Sequence, residues 1–153
     1  MKIFDFDEQL KEGQKHEEFL DSIFAKYVIV QKVGMELQHK GIDRVFKIGD
    51  KQIHVEYKAD RRATITGNAF IETISVSKTG HEGWAYTSQA DWILYFLPQE
   101  MKVYTIPRKE MQKRLSDWNN TYRVGLAKNK DYYSQGILVP LAEIATFSKV
   151  LNI

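Results

Sequence analysis

Glu56, Tyr57 and Lys58 close a run in which apolar and polar residues alternate from Gln52, and Asp43 lies thirteen residues before Glu56. Successive side chains of a strand point to opposite faces, so His54, Glu56 and Lys58 share one face while Ile53, Val55 and Tyr57 share the other. A carboxylate and an ammonium two residues apart on a rigid strand can divide the work of hydrolysis. The carboxylate ligates a divalent cation, and the ammonium orients or polarises the attacking water. Asp43 stands at the start of a second alternating run, Ile42 to Ile48, and Gly49-Asp50-Lys51 between the runs predicts a β-hairpin. That hairpin makes Asp43 and Glu56 near cross-strand neighbours, close enough to share one ion. Mg²⁺, or Mn²⁺ in its place, suits an oxygen site of one or two carboxylates completed by waters and a substrate phosphate. The chemistry such a set can perform is phosphodiester hydrolysis. A bare E-x-K is also what a solvated strand face with an ion pair looks like, and Asp43 alone also suits the polar start of a strand, so other acids must add weight.

Glu17 is that addition. From about Asp7 to Lys26 apolar residues recur at helical spacing, with Leu10, Phe19, Leu20, Ile23, Phe24 and Tyr27 on one stripe. Glu17 falls with Leu10, Gly13, Leu20 and Phe24, on or beside the stripe, whereas Glu18 falls toward Gln14 and Ser22 on the polar side. A carboxylate there must reach a cation or extend to solvent from the stripe's edge. Gly13, one turn earlier, either admits a close neighbour or is a tolerated helix glycine.

The elements that must hold these residues follow from periodicity. After the helix and the hairpin, β-branched Ala69 to Val76 predicts a third strand, and Glu82 to Ala90 a short helix. The apolar run Trp92 to Leu97 predicts a central strand covered on both faces. Met101 to Ile106 is a further strand, and Pro107 suits the first turn of a helix to about Trp118. Tyr122 to Ala127 and Gly136 to Val139 read as short strands before an amphipathic helix from Pro140. The 153 residues, 43% hydrophobic and 12% aromatic, suit one domain, with a core over about residues 7–97 and a C-terminal extension over about 98–153. There is no cysteine, which excludes disulfides, thiolate zinc sites and a cysteine nucleophile and fits a cytoplasmic protein. No leader pattern or apolar stretch of about 20 residues is present, so no membrane association is expected.

Gly13-x3-Glu17, Gly41-Ile42-Asp43 and Glu56-Tyr57-Lys58, on a helix and a hairpin in that order, resemble the PD-(D/E)XK nuclease superfamily. The resemblance spans about residues 7–97. It implies an α/β, restriction-endonuclease-like αβββαβ core whose mixed central sheet is flanked by helices, here followed by a C-terminal αββα extension. It further implies Asp43 and Glu56 as metal ligands, joined by the Tyr57 backbone carbonyl; Lys58 as the catalytic lysine; and Glu17 acting on the metal through water. Ile42 stands where the proline of the superfamily's name would be. The activity so implied is Mg²⁺-dependent endonucleolytic hydrolysis of DNA leaving 5′-phosphate and 3′-hydroxyl ends. Junction resolvases and small homing endonucleases are the nearest members in character, and the resemblance implies a junction-resolving, homing or repair-type nuclease.

The substrate is less legible. Net charge is only +2, but residues 1–25 carry seven acids against three bases while the rest carry thirteen against nineteen. Arg61 and Arg62, just beyond the catalytic strand, and Ser75, Ser77 and Lys78, after the third, are candidate phosphate contacts, each equally readable as a solvated loop residue. Basic groups at Arg108 to Arg114 and Lys128 to Lys130 could grip DNA or form an interface. Trp84, Tyr86, Trp92 and Tyr95 could stack on bases but at their spacings suit the core. The four histidines show no ligand spacing, and no glycine-rich phosphate loop appears. Cutting two strands from so small a chain calls for a homodimer or higher homo-oligomer. Two other functions remain open: a catalytically inactive nucleic-acid-binding protein of the same fold, and a partner-binding protein whose carboxylates form salt bridges.

Overall fold

Strand alternation and one amphipathic helix account for most of the architecture. The computed structural model describes residues 6–153, with side chains from residue 11, so Leu10 of the helical stripe lies outside the described side chains. In chain order the elements are α1 (Phe6–Phe24), β1 (Ile29–Lys32), α2 (Met35–His39), β2 (Arg44–Ile48), β3 (Lys51–Ala59), α3 (Ala63–Thr66), β4 (Asn68–Val76) and β5 (His81–Glu82). They continue with α4 (Trp84–Thr87), β6 (Trp92–Leu97), β7 (Lys102–Pro107), α5 (Arg108–Thr121), β8 (Val124–Lys128), β9 (Tyr133–Pro140), α6 (Leu141–Ala145) and β10 (Lys149–Asn152).

The strands form two sheets: a six-stranded sheet in the order β1-β2-β3-β6-β7-β10 and a four-stranded sheet in the order β5-β4-β9-β8. The predicted hairpin is present as β2 and β3, with Ile48 opposite Lys51 and Arg44 opposite Val55. Every pairing in the larger sheet is antiparallel except β3 with β6, which run parallel with Glu56 opposite Ile93 and Lys58 opposite Tyr95. The fold is therefore mixed α/β, its mixed central sheet flanked by helices.

The period of two divides the core. Phe46, Val55, Tyr57, Leu94, Phe96 and Val103 pack with Leu20 of α1, joined by Phe19 and Phe24. On the opposite face Ile93, Tyr95, Leu97, Tyr104 and Ile106 pack with Met111, Leu115 and Trp118 of α5 and with Ala69, Ile71, Ile137 and Val139 of the second sheet. Burial of each large aliphatic or aromatic side chain contributes about 1.5–3 kcal/mol, so α1 is held by its stripe rather than by helix propensity. The continuous apolar run of β6 is what a strand covered on both faces requires. Among the described residues no helix is long and apolar enough to cross a membrane.

Three expectations need correction. Ala69–Val76 is a strand but does not join the hairpin's sheet; it pairs with β9 in the second sheet. The hairpin's neighbour is instead Ile29–Lys32, whose mostly exposed four residues carry no alternation to mark them. The helix expected over Glu82–Ala90 is one turn, because the residues after it bond elsewhere: the Gln89 N–H to the Lys40 carbonyl, the Ala90 N–H to Ser88 Oγ, and Ser88 Oγ to the Gly41 carbonyl. The C-terminal segment is joined to the remainder in both sheets, since β9 pairs with β4 and β7 with β6, and its final helix is only Leu141–Ala145.

Leu20 is 1% exposed beneath Tyr57 and Phe96. Leu20→Ala is expected to lower unfolding free energy by about 2–5 kcal/mol, read as a shifted urea midpoint at unchanged slope.

Candidate functional site

The period that buries Val55 and Tyr57 against α1 turns Glu56 and Lys58 to the other face of β3. Glu56 is not on a solvated face: it is 5% exposed. Lys58 Nζ lies 3.1 Å from Glu56 Oε1 and keeps a third of its side chain exposed. Glu56 Oε2 is buried with no hydrogen-bond partner. Ser88 Oγ is close by but donates to the Gly41 carbonyl. Burial pushes the Glu56 carboxyl above its ordinary range, with Lys58 opposing the rise and Asp43 adding to it. Burial works against the Lys58 charge, but the Glu56 charge and hydrogen bond, with Asp43 and Glu72, hold its pKa above normal.

Asp43 ends the loop before β2 and uses its side chain to extend the ladder. Its N–H donates to the Val55 carbonyl at 2.8 Å, and its Oδ2 accepts the Tyr57 N–H at 2.8 Å. The carboxylate is thus pinned across from Glu56, as the hairpin reading requires. Gly41 makes this approach possible. Its φ is +72°, and a Cβ there would lie 3.0 Å from Ser88 Cα and 3.2 Å from Glu56 Oε2. Ile42, between them, is 2% exposed and anchors the turn in the core.

Glu17 reaches the same region from α1. It is half-buried, while Glu18 is exposed, as the stripe predicted. Burial and the neighbouring Asp43 raise its pKa, with Arg44 opposing. Arg44 is the residue the sequence reading missed. Its Nε donates to Asp21 Oδ1 and Oδ2 at 3.0 and 3.1 Å, its NH1 donates to the Asp43 carbonyl at 2.8 Å, and its NH2 stands 3.7 Å from Glu17 Oε2. Tyr57 Oη also donates to Asp21, at 2.9 Å. Alternation could have exposed Arg44, because it shares a face with Phe46 and sits opposite Val55, and a charge on that apolar face needs a partner. Gly13 has open space where a Cβ would go, so no close neighbour explains it.

A second unforeseen acid comes from the other sheet. Glu72 of β4 shares a strand face with Phe70, and the ladder to β9 shifts register just beyond it. Burial raises its pKa while Lys58 and the Trp84 amide oppose the rise. Gly83 starts α4 here because any Cβ would meet the Glu72 carbonyl oxygen at 2.5 Å.

Two cavities meet at Lys58 and Ala59. A cavity of about 270 Å³ is lined by Glu12, Glu17, His16, Tyr57 and Arg61. One of about 370 Å³ is lined by Arg62, Asn68, Phe70, Trp84, Leu126 and Leu138. Arg61 and Arg62 thus fall on either side of the strand end, Arg61 paired with Glu12 at 2.7 Å. Ser75, Ser77 and Lys78 line neither cavity: Ser75 Oγ donates to the His81 carbonyl, Ser77 Oγ accepts the Tyr133 N–H, and Lys78 is exposed. Of the candidate stacking aromatics, Tyr95 is buried and donates to Asp60, Trp92 packs against the core under α1, Tyr86 is exposed, and Trp84 faces the larger cavity. The basic group on α5 is partly committed, Arg108 to the Ala90 carbonyl and Arg114 to Glu110.

Chemically, the set offers hard oxygen donors. Among the described residues no three His, Cys, Asp or Glu side chains are gathered to hold an ion. Asp43 and Glu56 supply two carboxylates, enough for Mg²⁺ when waters and phosphate fill the shell, and the unpartnered Oε2 fits a cation.

A carboxyl with a raised folded pKa binds more protons in the native state, so its contribution to stability falls as pH rises from the ordinary carboxylate range through the raised value. Urea unfolding in EDTA at a series of pH values is expected to show this decline, and Glu56→Gln is expected to make it shallower. Gly41→Ala is expected to cost about 1–3 kcal/mol in the same assay, from the positive φ and the crowding of Ser88. Comparison with protein-family models, curated proteins and solved structures returned no match to this chain, so its functional reading rests on the chemistry of these residues.

Proposed function

We propose that the protein is a divalent-metal-dependent endonuclease that hydrolyses DNA phosphodiester bonds at Asp43, Glu56 and Lys58. The observation that carries this reading is the buried, unpartnered Glu56 Oε2 across the hairpin from Asp43 and beside a charged lysine. An uncompensated carboxylate oxygen is costly in a folded protein, and a cation there repays that cost. The element order adds support. In the larger sheet β1, β2 and β3 follow α1, and β6 lies parallel to β3, with α2 between β1 and β2 and α3, β4, β5 and α4 between β3 and β6. A helix, three strands and a later parallel strand are compatible with the core that the motifs resemble.

Mg²⁺, or Mn²⁺ in its place, would be held by Asp43 and Glu56, with the Tyr57 carbonyl as further donor, and supplies charge that polarises a phosphate and acidifies water. The chain's own groups do the rest. Lys58, held protonated by Glu56, is a donor that orients water or a phosphate oxygen, and it is not a base. Glu17, with its raised pKa, is suited to take up a proton from the smaller cavity's side. Arg61 and Arg62 at the strand end suit phosphate binding. Severing two strands calls for two copies of the site, hence a homodimer or higher homo-oligomer. One observation favours a DNA-binding protein that does not cut: Lys58 and Glu56 pair at 3.1 Å and neutralise each other without metal.

The test combines binding and cleavage. Mg²⁺ or Mn²⁺ at about a hundredfold excess over its dissociation constant is expected to stabilise the wild type by about 2.7 kcal/mol, and Asp43→Asn to abolish this. With Mg²⁺ the wild type is expected to cleave at least one of supercoiled plasmid, linear duplex, single strand, flap and four-way junction. Lys58→Ala is expected to lose about a hundredfold or more in rate. Equal rates for the two proteins would remove Lys58 from the mechanism, and no cleavage of any substrate by the wild type would leave the binding protein.

A further inference from the structure

The larger cavity opens at the same lysine, and its apolar part holds neither phosphate nor metal. Phe70 and Leu138, opposite each other on β4 and β9, form part of its wall, and Trp84 forms another, its ring beneath the Lys58 ammonium at 5.5 Å. Arg62, Thr66 and Asn68 add polar groups. Leu126, on the rim, is 58% exposed, and Val124 on the same face of β8 is 52% exposed, which leaves an apolar edge in water beside the cavity. Apolar walls with a few polar groups are the usual make-up of a pocket for a small planar ligand, and 370 Å³ falls within the common range.

We propose that this cavity receives an unpaired nucleobase from the nucleotide whose phosphate lies at Lys58, so that the substrate class is DNA with unpaired nucleotides at the cut, a single strand or flap, rather than continuous duplex. The inference rests on the endonuclease reading above for the placement of the phosphate. Lys58 and Ala59 line both cavities, so a phosphate at the lysine puts its own base within reach of the larger one. Every base has a π face that can stack on Trp84 or Phe70 whatever its identity, while Arg62 and Asn68 can meet its edge. A base inside a duplex is stacked and paired and must be extruded before it can enter; an unpaired one enters without that cost.

The experiment titrates the 153-residue chain, in EDTA and at fixed salt, with 2-aminopurine-labelled single-stranded, flap and blunt duplex oligonucleotides, for wild type, Ala127→Trp and Leu126→Ser. Ala127 lines the cavity and a tryptophan there would fill it, whereas Leu126 is 58% exposed and Leu126→Ser changes only the rim. The wild type is expected to bind single strand and flap about tenfold or more tighter than duplex, with a change in 2-aminopurine emission on binding. Both variants are expected to lose most of that preference while keeping duplex affinity and metal-dependent thermal stabilisation. Equal wild-type affinity for paired and unpaired DNA, or a preference untouched in both variants, would overturn the inference. Lys58-dependent cleavage without any preference for unpaired DNA would sink this inference and leave the endonuclease intact. A cavity-dependent preference without cleavage under Mg²⁺ would do the reverse, leaving a base-binding site and no enzyme.

Discussion

Strand β3 is covered on both faces and paired on both edges, and its two-residue period decides where every important side chain goes. Val55 and Tyr57 are drawn into the cluster under α1, so Glu56 and Lys58 must face the opposite layer. A slip of one residue would exchange the sets, placing two charges under α1 and a tyrosine in the cavity region. Register is therefore enforced by the burial of Val55, Tyr57, Leu94 and Phe96. The parallel partner β6 adds a second restraint by fixing Glu56 against Ile93 and Lys58 against Tyr95.

Arg44 joins helix to strand. It meets Asp21 through two hydrogen bonds, stacks over Tyr57 at 5.5 Å, holds the Asp43 carbonyl and faces Glu17. A guanidinium suits this position because its rigid fork can serve several acceptors at once, which an ammonium on a flexible stem does less well. The desolvation of such a group is offset only when every partner is in place. The same contacts that make the buried charge tolerable also fix Asp43 and Glu17 relative to β3.

The electrostatics of the site are unbalanced by design of the fold. Glu56 and Glu17 both carry raised pKa values, from burial first and from Asp43 next to them, while a single lysine with Arg44 nearby answers three acids. Such a concentration of acids in a low-dielectric corner stores affinity for cations. Glu72, arriving from the other sheet, adds to it.

The hairpin, the helical stripe and the central apolar strand were legible in the sequence because each is a local period of hydrophobicity, and local periods survive whatever packs against them. Glu17, Asp43, Glu56 and Lys58 could be singled out for the same reason: hairpin register and helical phase fix neighbours over short distances. What lies beyond that range was settled only by tertiary structure. The strand over Ala69–Val76 has the same local signal whichever sheet it joins, and its pairing with β9 depends on a segment some sixty residues away. Ile29–Lys32 is too short and too exposed to leave a signal. Alternation puts Arg44 on an apolar face, but its partner Asp21 comes from α1, and Glu72 of the second sheet meets Lys58 of the first only once the sheets pack. The sequence by itself determined which residues share a face of β3. The depth of Glu56, its orphaned oxygen and the cavity beyond Lys58 were decided by the tertiary structure, because burial belongs to the layers that cover a strand and not to the strand.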